Sequence, residues 1–494
     1  MKFKLRLLYY VLFQIVLLLT SIFILYPYRD TEKWDTFIFM AGYGTIICVI
    51  ITIILCIMQK SIFTPLILIF LSFWIFQFGL PIVYVFVENY RNFYINLFDY
   101  KTIINGSIYS LFSIQIFAIS VSLVLMKANK KSKSIFEKVK WLNETKLVSK
   151  AALVLFIFTG IIALPLIFYS AYATVTQGFF VAGTRSYLSS NAIFRLVQTF
   201  FFPAGLLFLC FNDVKTNICG KVVAITLLMY CIFQMVAGDR TNGLTGVLVL
   251  IYYYFFATKD NEFTKSKKIK GMFRQMMFGV ILIAVVILLV YIAKARVSDV
   301  KLSIKEVVTD GIFKSFFAEL GFNFTTICFV MKYVPSITNF QYGLTYLSSI
   351  VCLIPKSIDP TGIITSLSER LGEVWLFNIN QTQYGGLLDF GVGFSVIGES
   401  YYNFGWYGCL VFFIIGWIVA VLLGKNINKC NKFEKYIQLV LLLGFLTFPR
   451  RQVYDMLKDI EYNVFFIYIY ISFIYYVILK NSPKSKLKRG NNNE

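Results

Sequence analysis

The chain has 494 residues, 58% of them hydrophobic and 18% aromatic, and a mean hydropathy of +0.72. Those values exclude an ordinary water-soluble globular protein and define a polytopic membrane protein. The net charge of +22 does not call for a nucleic-acid partner, because the basic residues gather in loops suited to an anionic inner leaflet of the lipid bilayer, where each contributes about 1 kcal/mol of attraction.

In chain order, Lys2, Lys4 and Arg6 precede the first apolar run, and no small-residue cleavage site follows it. This pattern predicts a retained anchor helix with a cytoplasmic amino end. Runs long enough to cross a hydrocarbon core of roughly 30 Å are predicted at 7–26, 36–58, 62–87, 102–126, 151–173, 192–211, 222–237, 243–258, 275–294, 396–424, 436–449 and 461–480. The fold class is therefore all-α, with about twelve transmembrane helices. The basic loops 127–150, 259–274 and 425–435 and the tail after Lys480 then fall on the cytoplasmic side, with both termini inside. The predicted organisation is transmembrane helices 1–9 over residues 1–295, a large extracytoplasmic loop with short helices over 296–395, helices 10–12 over 396–480, and a basic cytoplasmic tail over 481–494.

Histidine is absent, which removes the usual proton carrier near neutral pH and leaves carboxylate, Tyr or Lys for acid and base work. Asp30 and Glu32 on the first external loop offer an Asp-x-Glu pair for a metal, and equally a solvated surface pair. There is no phosphate-cradling Gly-x-x-x-x-Gly-Lys loop. The nine cysteines have no Cys-x-x-Cys spacing, so no metal site is expected. Cys328 and Cys352 in the outer segment leave a disulfide open beside packed thiols.

Arginines on the predicted outer side break the positive-inside pattern. Arg185 lies in an external stretch, with Arg195 just inside the next span. Arg240 sits in the turn Ala237-Gly-Asp-Arg-Thr-Asn-Gly, and Arg450 and Arg451 follow Pro449. The runs 222–237 and 436–449 give only about 24 and 21 Å of helix against a core of roughly 30 Å. Arg240, Arg450 and Arg451 then lie at outer-leaflet depth, where a charge needs a wet cavity or an anionic partner. Snorkelling, or ion pairs with Asp239, Asp455 or Asp459, would satisfy each singly. As a group they point to a site for the diphosphate of a lipid carrier. If the chain stays helical after Pro449, Arg450, Tyr454 and Lys458 share one face. In the outer segment a helix-like stretch is predicted at 303–333 and an interfacial or re-entrant helix at Leu344–Ile354, ended by Pro355. A glycine-rich run, Tyr384–Gly393, then leads back to the membrane.

The stretch Ile397-Gly-Glu-Ser-Tyr-Tyr-Asn-Phe-Gly-Trp-Tyr-Gly resembles the Glu-x-Tyr-x-Asn-Phe-Gly signature of the O-antigen and capsule repeat-unit polymerases, the Wzy family. Gly238-Asp-Arg, Phe340-Gln-Tyr-Gly-Leu-Thr-Tyr followed by Ile354-Pro355, and Phe448-Pro-Arg-Arg fit the same picture. The architecture also looks like the related O-antigen ligases, which typically carry a histidine in the large loop; this chain has none.

The resemblance implies a metal-independent, cofactor-free glycosyltransferase of GT-C-like architecture in the bacterial cytoplasmic membrane, with its site facing outward. It would move a growing glycan from undecaprenyl diphosphate onto the non-reducing end of a lipid-linked repeat unit. On this reading Arg240 with Arg450 or Arg451 holds the departing diphosphate, and Glu399 takes the proton from the attacking hydroxyl, with Glu319, Glu373 and Asp239 as substitutes. Arg185 and Arg195 would bind the second lipid diphosphate, and Tyr401, Asn403 and Tyr454 would orient sugar or phosphate. A chain-length regulator and a flippase of the same pathway are the implied protein partners. The rival reading is a flippase of the same lipid-linked oligosaccharide, which would predict two similar halves and midplane charges.

Overall fold

In hydrocarbon a backbone can satisfy its own polar groups only as a helix or a closed barrel, and the long apolar runs lack the alternation of barrel strands. The computed structural model describes residues 2–87, 95–127, 145–177, 192–212, 217–257, 275–281, 284, 287, 311–355, 359, 361–386 and 393–481. Among the described residues all regular structure is helical. The first half comprises α1 (Lys2–Leu25), α2 (Trp34–Gln59), α3 (Pro65–Phe86), α4 (Tyr100–Lys127), α5 (Thr145–Gln177), α6 (Ala192–Phe211), α7 (Ile218–Val236) and α8 (Arg240–Tyr252), the last ending in a π turn over Tyr253–Ala257. Short helices follow: α9 (Ile312–Gly321), α10 (Phe324–Tyr333), α11 (Leu344–Val351), α12 (Ile363–Ser368) and α13 (Gly372–Tyr384). The last part comprises α14 (Val396–Phe404), α15 (Val411–Leu423), α16 (Lys432–Thr447), α17 (Val453–Ile460) and α18 (Ile467–Asn481).

Nine helical stretches among the described residues are long and apolar enough to cross a membrane, which makes this a polytopic membrane protein. They match the runs predicted from 7–26 through 222–237, together with 396–424 and 461–480. The predicted spans at 243–258 and 436–449 correspond to α8 and α16, of 13 and 16 residues. The run at 275–294 falls largely outside the described residues.

Helix α4 lies at the centre, touching α1, α2, α3, α10 and α15. Its buried Ser107, Ser110, Ser113, Ser120 and Ser122 supply the small side chains that let helices approach closely. At the α15 crossing, a Cβ on Gly416 would lie 2.6 Å from the Phe117 carbonyl oxygen. Helices α9 and α10 pack into this bundle. A Cβ at Gly321 of α9 would collide with the backbone of Gly79 and Leu80 in α3, so here the two helices meet with no side chains between them. Phe324, Ile327, Cys328, Phe329 and Val330 of α10 are fully buried against α3, α4 and α14.

Helix α16 stops at Thr447 because Pro449 lacks the N–H needed to continue it. A 3₁₀ turn covers Phe448–Arg450, and Arg451 and Gln452 are extended before α17 begins. The chain therefore does not stay helical after Pro449, and the shared face of Arg450 with Tyr454 and Lys458 does not form. Cys328 and Cys352 are both free thiols.

Candidate functional site

The turn Phe448–Gln452 brings together residues from distant parts of the chain. Gly238 takes a positive φ of 105°, and Asp239 then caps α8 through the Asn242 amide at 3.4 Å. This starts α8 with Arg240 and Thr241 side by side. Arg240 forms an ion pair with Glu319 of α9. Arg450 reaches the same place from the other direction, donating from Nη1 to Thr241 Oγ1 at 3.1 Å. Among the described residues no carboxylate lies within 4 Å of the Arg450 guanidinium. Burial pushes the Arg450 pKa down, and the nearby Glu319 opposes that shift while Arg240 adds to it. The structure thus brings Arg240 and Arg450 together.

Arg451 points elsewhere. Its Nη1 lies 2.5 Å from Asp459 Oδ2, and its Nε is 4.0 Å from Asp455. Burial works against its charge, but Asp459 and Asp455 outweigh it and hold the guanidinium protonated. Arg451 is thus a structural ion pair tying the turn to α17.

Glu399 is fully buried, and both its oxygens accept hydrogen bonds: Oε1 from Thr345 Oγ1 at 2.9 Å and Oε2 from the Val453 amide at 2.7 Å. Val453 opens α17, so the carboxylate sits at the positive end of that helix. Asn403 is equally engaged. It donates to Thr345 Oγ1 at 2.6 Å and to the Glu399 carbonyl at 2.8 Å, and accepts from the Gly343 amide at 2.9 Å. The Glu-x-x-x-Asn pattern therefore clamps α14, α11 and α17 to one another.

The carboxylate with an open face is Glu373, at the start of α13. Its amide donates to Gln452 Oε1 at 3.4 Å, which sets it beside the arginine turn, and its side chain is exposed. Crowding by protein atoms and the proximity of Asp455 push its pKa above the ordinary glutamate value, although Arg451 and Arg450 pull the other way. Next to it, Cys352, Ile354, Leu371, Val374, Tyr454, Lys458 and Tyr462 line a groove of about 420 Å³. Lys458 Nζ lies 5.5 and 5.9 Å from the ring centroids of Tyr454 and Tyr462. A second hollow of about 440 Å³ is walled by Ile15, Leu18, Ile116, Ile119, Leu410 and Phe413; with no polar side chain it suits lipid tails.

Tyr401 is buried edge-on to Tyr109 at 5.2 Å, and Tyr402 packs on Trp375 at 4.9 Å, so these rings face protein. Arg195 is exposed near the start of α6, and Arg185 lies outside the described residues. Asp30 is bound to Lys101 at 2.8 Å on the surface. Sequence reasoning missed Thr241, which accepts from Arg450, Thr345, which links Glu399 to the Asn403 amide, and Arg29, whose guanidinium covers Trp406 at 4.4 Å. A hydroxyl directly after Arg240 was the available signal for Thr241, and for Thr345 it was its place in the run Phe340-Gln-Tyr-Gly-Leu-Thr-Tyr.

No curated protein and no solved structure matches the chain. The family model of the O-antigen polysaccharide polymerase Wzy matches residues 10–482. That match covers the arginine turn, the buried Glu399–Asn403 clamp and nearly all the helices around them, and the chain belongs to the O-antigen polysaccharide polymerase Wzy family.

Proposed function

We propose that this protein lengthens a lipid-linked polysaccharide by moving a growing glycan from undecaprenyl diphosphate onto the non-reducing end of a lipid-linked repeat unit. The observation that carries this reading is the meeting of Arg240 and Arg450 at Thr241, with an open groove and a free carboxylate alongside. Two guanidinium groups at one point suit a diphosphate, whose oxygens accept paired N–H donors.

In the reaction the acceptor hydroxyl oxygen bonds to C1 of the donor sugar as the bond from C1 to the phosphate oxygen breaks. Glu373 accepts the hydroxyl proton, and Arg240 and Arg450 stabilise the charge developing on the departing diphosphate. Glu399, with both oxygens engaged by donors, holds α17 and the turn in place. The groove beside Glu373 receives acceptor sugars against Tyr454 and Tyr462. The chemistry is metal-independent on this reading.

The site end of the bundle faces outward. It gathers the ends of α3, α7 and α16 and the starts of α4, α8 and α17, and the positive-inside pattern assigns the ends of α4, of the π turn after α8 and of α18, each followed in the sequence by a basic run, to the cytoplasmic side. That arrangement fits about twelve spans in the bacterial cytoplasmic membrane.

Purified protein reconstituted with its lipid-diphosphate repeat unit, without ATP or divalent metal, tests this. A ladder of lengthened products that disappears in Arg240→Ala supports the reading. Unchanged repeat units carried across the vesicle membrane would identify a flippase instead.

A further inference from the structure

Arg450 has a neutral hydroxyl partner and no ion pair among the described residues, so something other than an opposite charge must fix its direction. The carbonyl of Pro449, immediately before it, accepts two hydrogen bonds from far along the chain. Asn323 Nδ2, between α9 and α10, donates at 2.8 Å, and Gln77 Nε2 of α3 donates at 3.4 Å. Both side chains are buried, at 2% and 0% exposure. A carbonyl oxygen has two lone pairs, and with both engaged the peptide plane between Pro449 and Arg450 cannot turn without leaving buried donors unpaired, which is costly. Gln77 also donates to Ser395 Oγ at 3.2 Å, and Ser395 Oγ caps the start of α14 at the Ile397 amide, 3.1 Å away. From the other side, Gly393 closes against the arginine. A Cβ there would lie 3.2 Å from the Arg450 carbonyl oxygen and 3.7 Å from its Cγ, on a backbone with φ +70°.

We infer that Gln77 and Asn323 are positioning residues for Arg450: their amide donors lock the preceding peptide so that the guanidinium is aimed at Thr241 and Arg240 before any ligand arrives. This rests on the reading of Arg450 as a diphosphate-binding group. It differs from the Glu399 clamp in acting on the backbone directly before the arginine.

The test uses the full chain, purified in lipid nanodiscs, and farnesyl diphosphate as the probe. Its dissociation constant is measured for the unmodified protein, Gln77→Met, Asn323→Leu and Arg450→Ala, and for the two doubles carrying Arg450→Ala. Thermal unfolding midpoints are recorded for all. Gln77→Met and Asn323→Leu should each weaken binding about tenfold, the effect of losing a buried hydrogen bond. Neither should add more than about twofold in the Arg450→Ala background, since residues acting through one group are not additive. A full effect that persists without Arg450, unchanged binding in both single variants, or failure of both to fold assigns the two amides to the fold alone and overturns the inference. If the unmodified protein does not bind farnesyl diphosphate, the diphosphate reading itself fails, and the inference with it.

Discussion

The two ends of the helical bundle both carry cations, and they use them in opposite ways. At one end Lys432 donates to the Phe211 carbonyl at 3.0 Å and Lys435 to the Ala257 carbonyl at 2.9 Å. These are the last turns of α6 and of the π turn after α8, where a cation meets both an orphan carbonyl and the negative end of a helix. Lys425 is paired with Glu434 at 2.7 Å. At the other end Arg451 is similarly consumed by Asp459, whereas the Arg450 guanidinium donates only to a threonine hydroxyl among the described residues. A buried charge held by a carboxylate or by the carbonyl end of a helix reads as architecture; Arg450, left with a lone hydroxyl, reads as a place for a ligand. The partner, and not the count of positive residues, separates the two ends.

That contrast breaks first at Arg450. Arg450→Ala should lower the rate of chain elongation by about 100- to 1,000-fold, the usual scale for losing one preorganised donor to developing negative charge, while the thermal midpoint stays within a few degrees. An elongation rate within twofold of the unmodified protein would remove Arg450 from the site. Glu373→Gln comes next, with an expected loss of about 100-fold for a missing general base. The unmodified enzyme should slow on acidification through a pKa above the ordinary glutamate value, because crowding by protein atoms and the nearby Asp455 favour the protonated form, which cannot accept a proton. The same shift means that the protonated side chain favours folding on the acid side, a contribution that fades as pH rises through the folded pKa. An acid limb that survives in Glu373→Gln would point to another group.

Glu399→Gln keeps one acceptor oxygen but turns an amide NH₂ toward a donor. Elongation should fall about tenfold together with the unfolding midpoint, the cost of a buried group left unpaired. A loss as deep as that of Glu373→Gln at unchanged midpoint would instead restore Glu399 as the proton acceptor. The smallest effect on catalysis belongs to the lysine end. Lys435→Met should cost about 1.5 to 3 kcal/mol of stability, typical for a charged hydrogen bond, and leave the turnover of the folded protein unaltered; slowed chemistry there would erase the distinction between the ends.

Nine of the twelve predicted spans reappear as long apolar helices among the described residues, since twenty apolar residues in a row have few other fates. The sequence also grouped Arg240 with Arg450 and Arg451, from charges predicted to break the positive-inside pattern; the structure sets Arg240 beside Arg450 and turns Arg451 to Asp459. What escaped it was long-range geometry. The partners of Glu399 lie 54 residues away on either side, at Thr345 and Val453, and although Thr345 stands in the run Phe340-Gln-Tyr-Gly-Leu-Thr-Tyr, nothing local pairs either residue with Glu399. The separation of Arg450 from Arg451 depends on a proline that turns the backbone between them. The burial of α10 was hidden because ten residues are too few to register as a span, yet enough to fill a gap between longer helices.

The contact of Gly321 with Gly79 has a mechanical consequence. A Cβ at Gly321 or Gly79 would wedge the two backbones apart, so the distance from α9, which carries Glu319, to α3, which carries Gln77, is set by two hydrogen atoms. Any side chain at either glycine should push Glu319 away from Arg240 and shift the site without touching a residue in it.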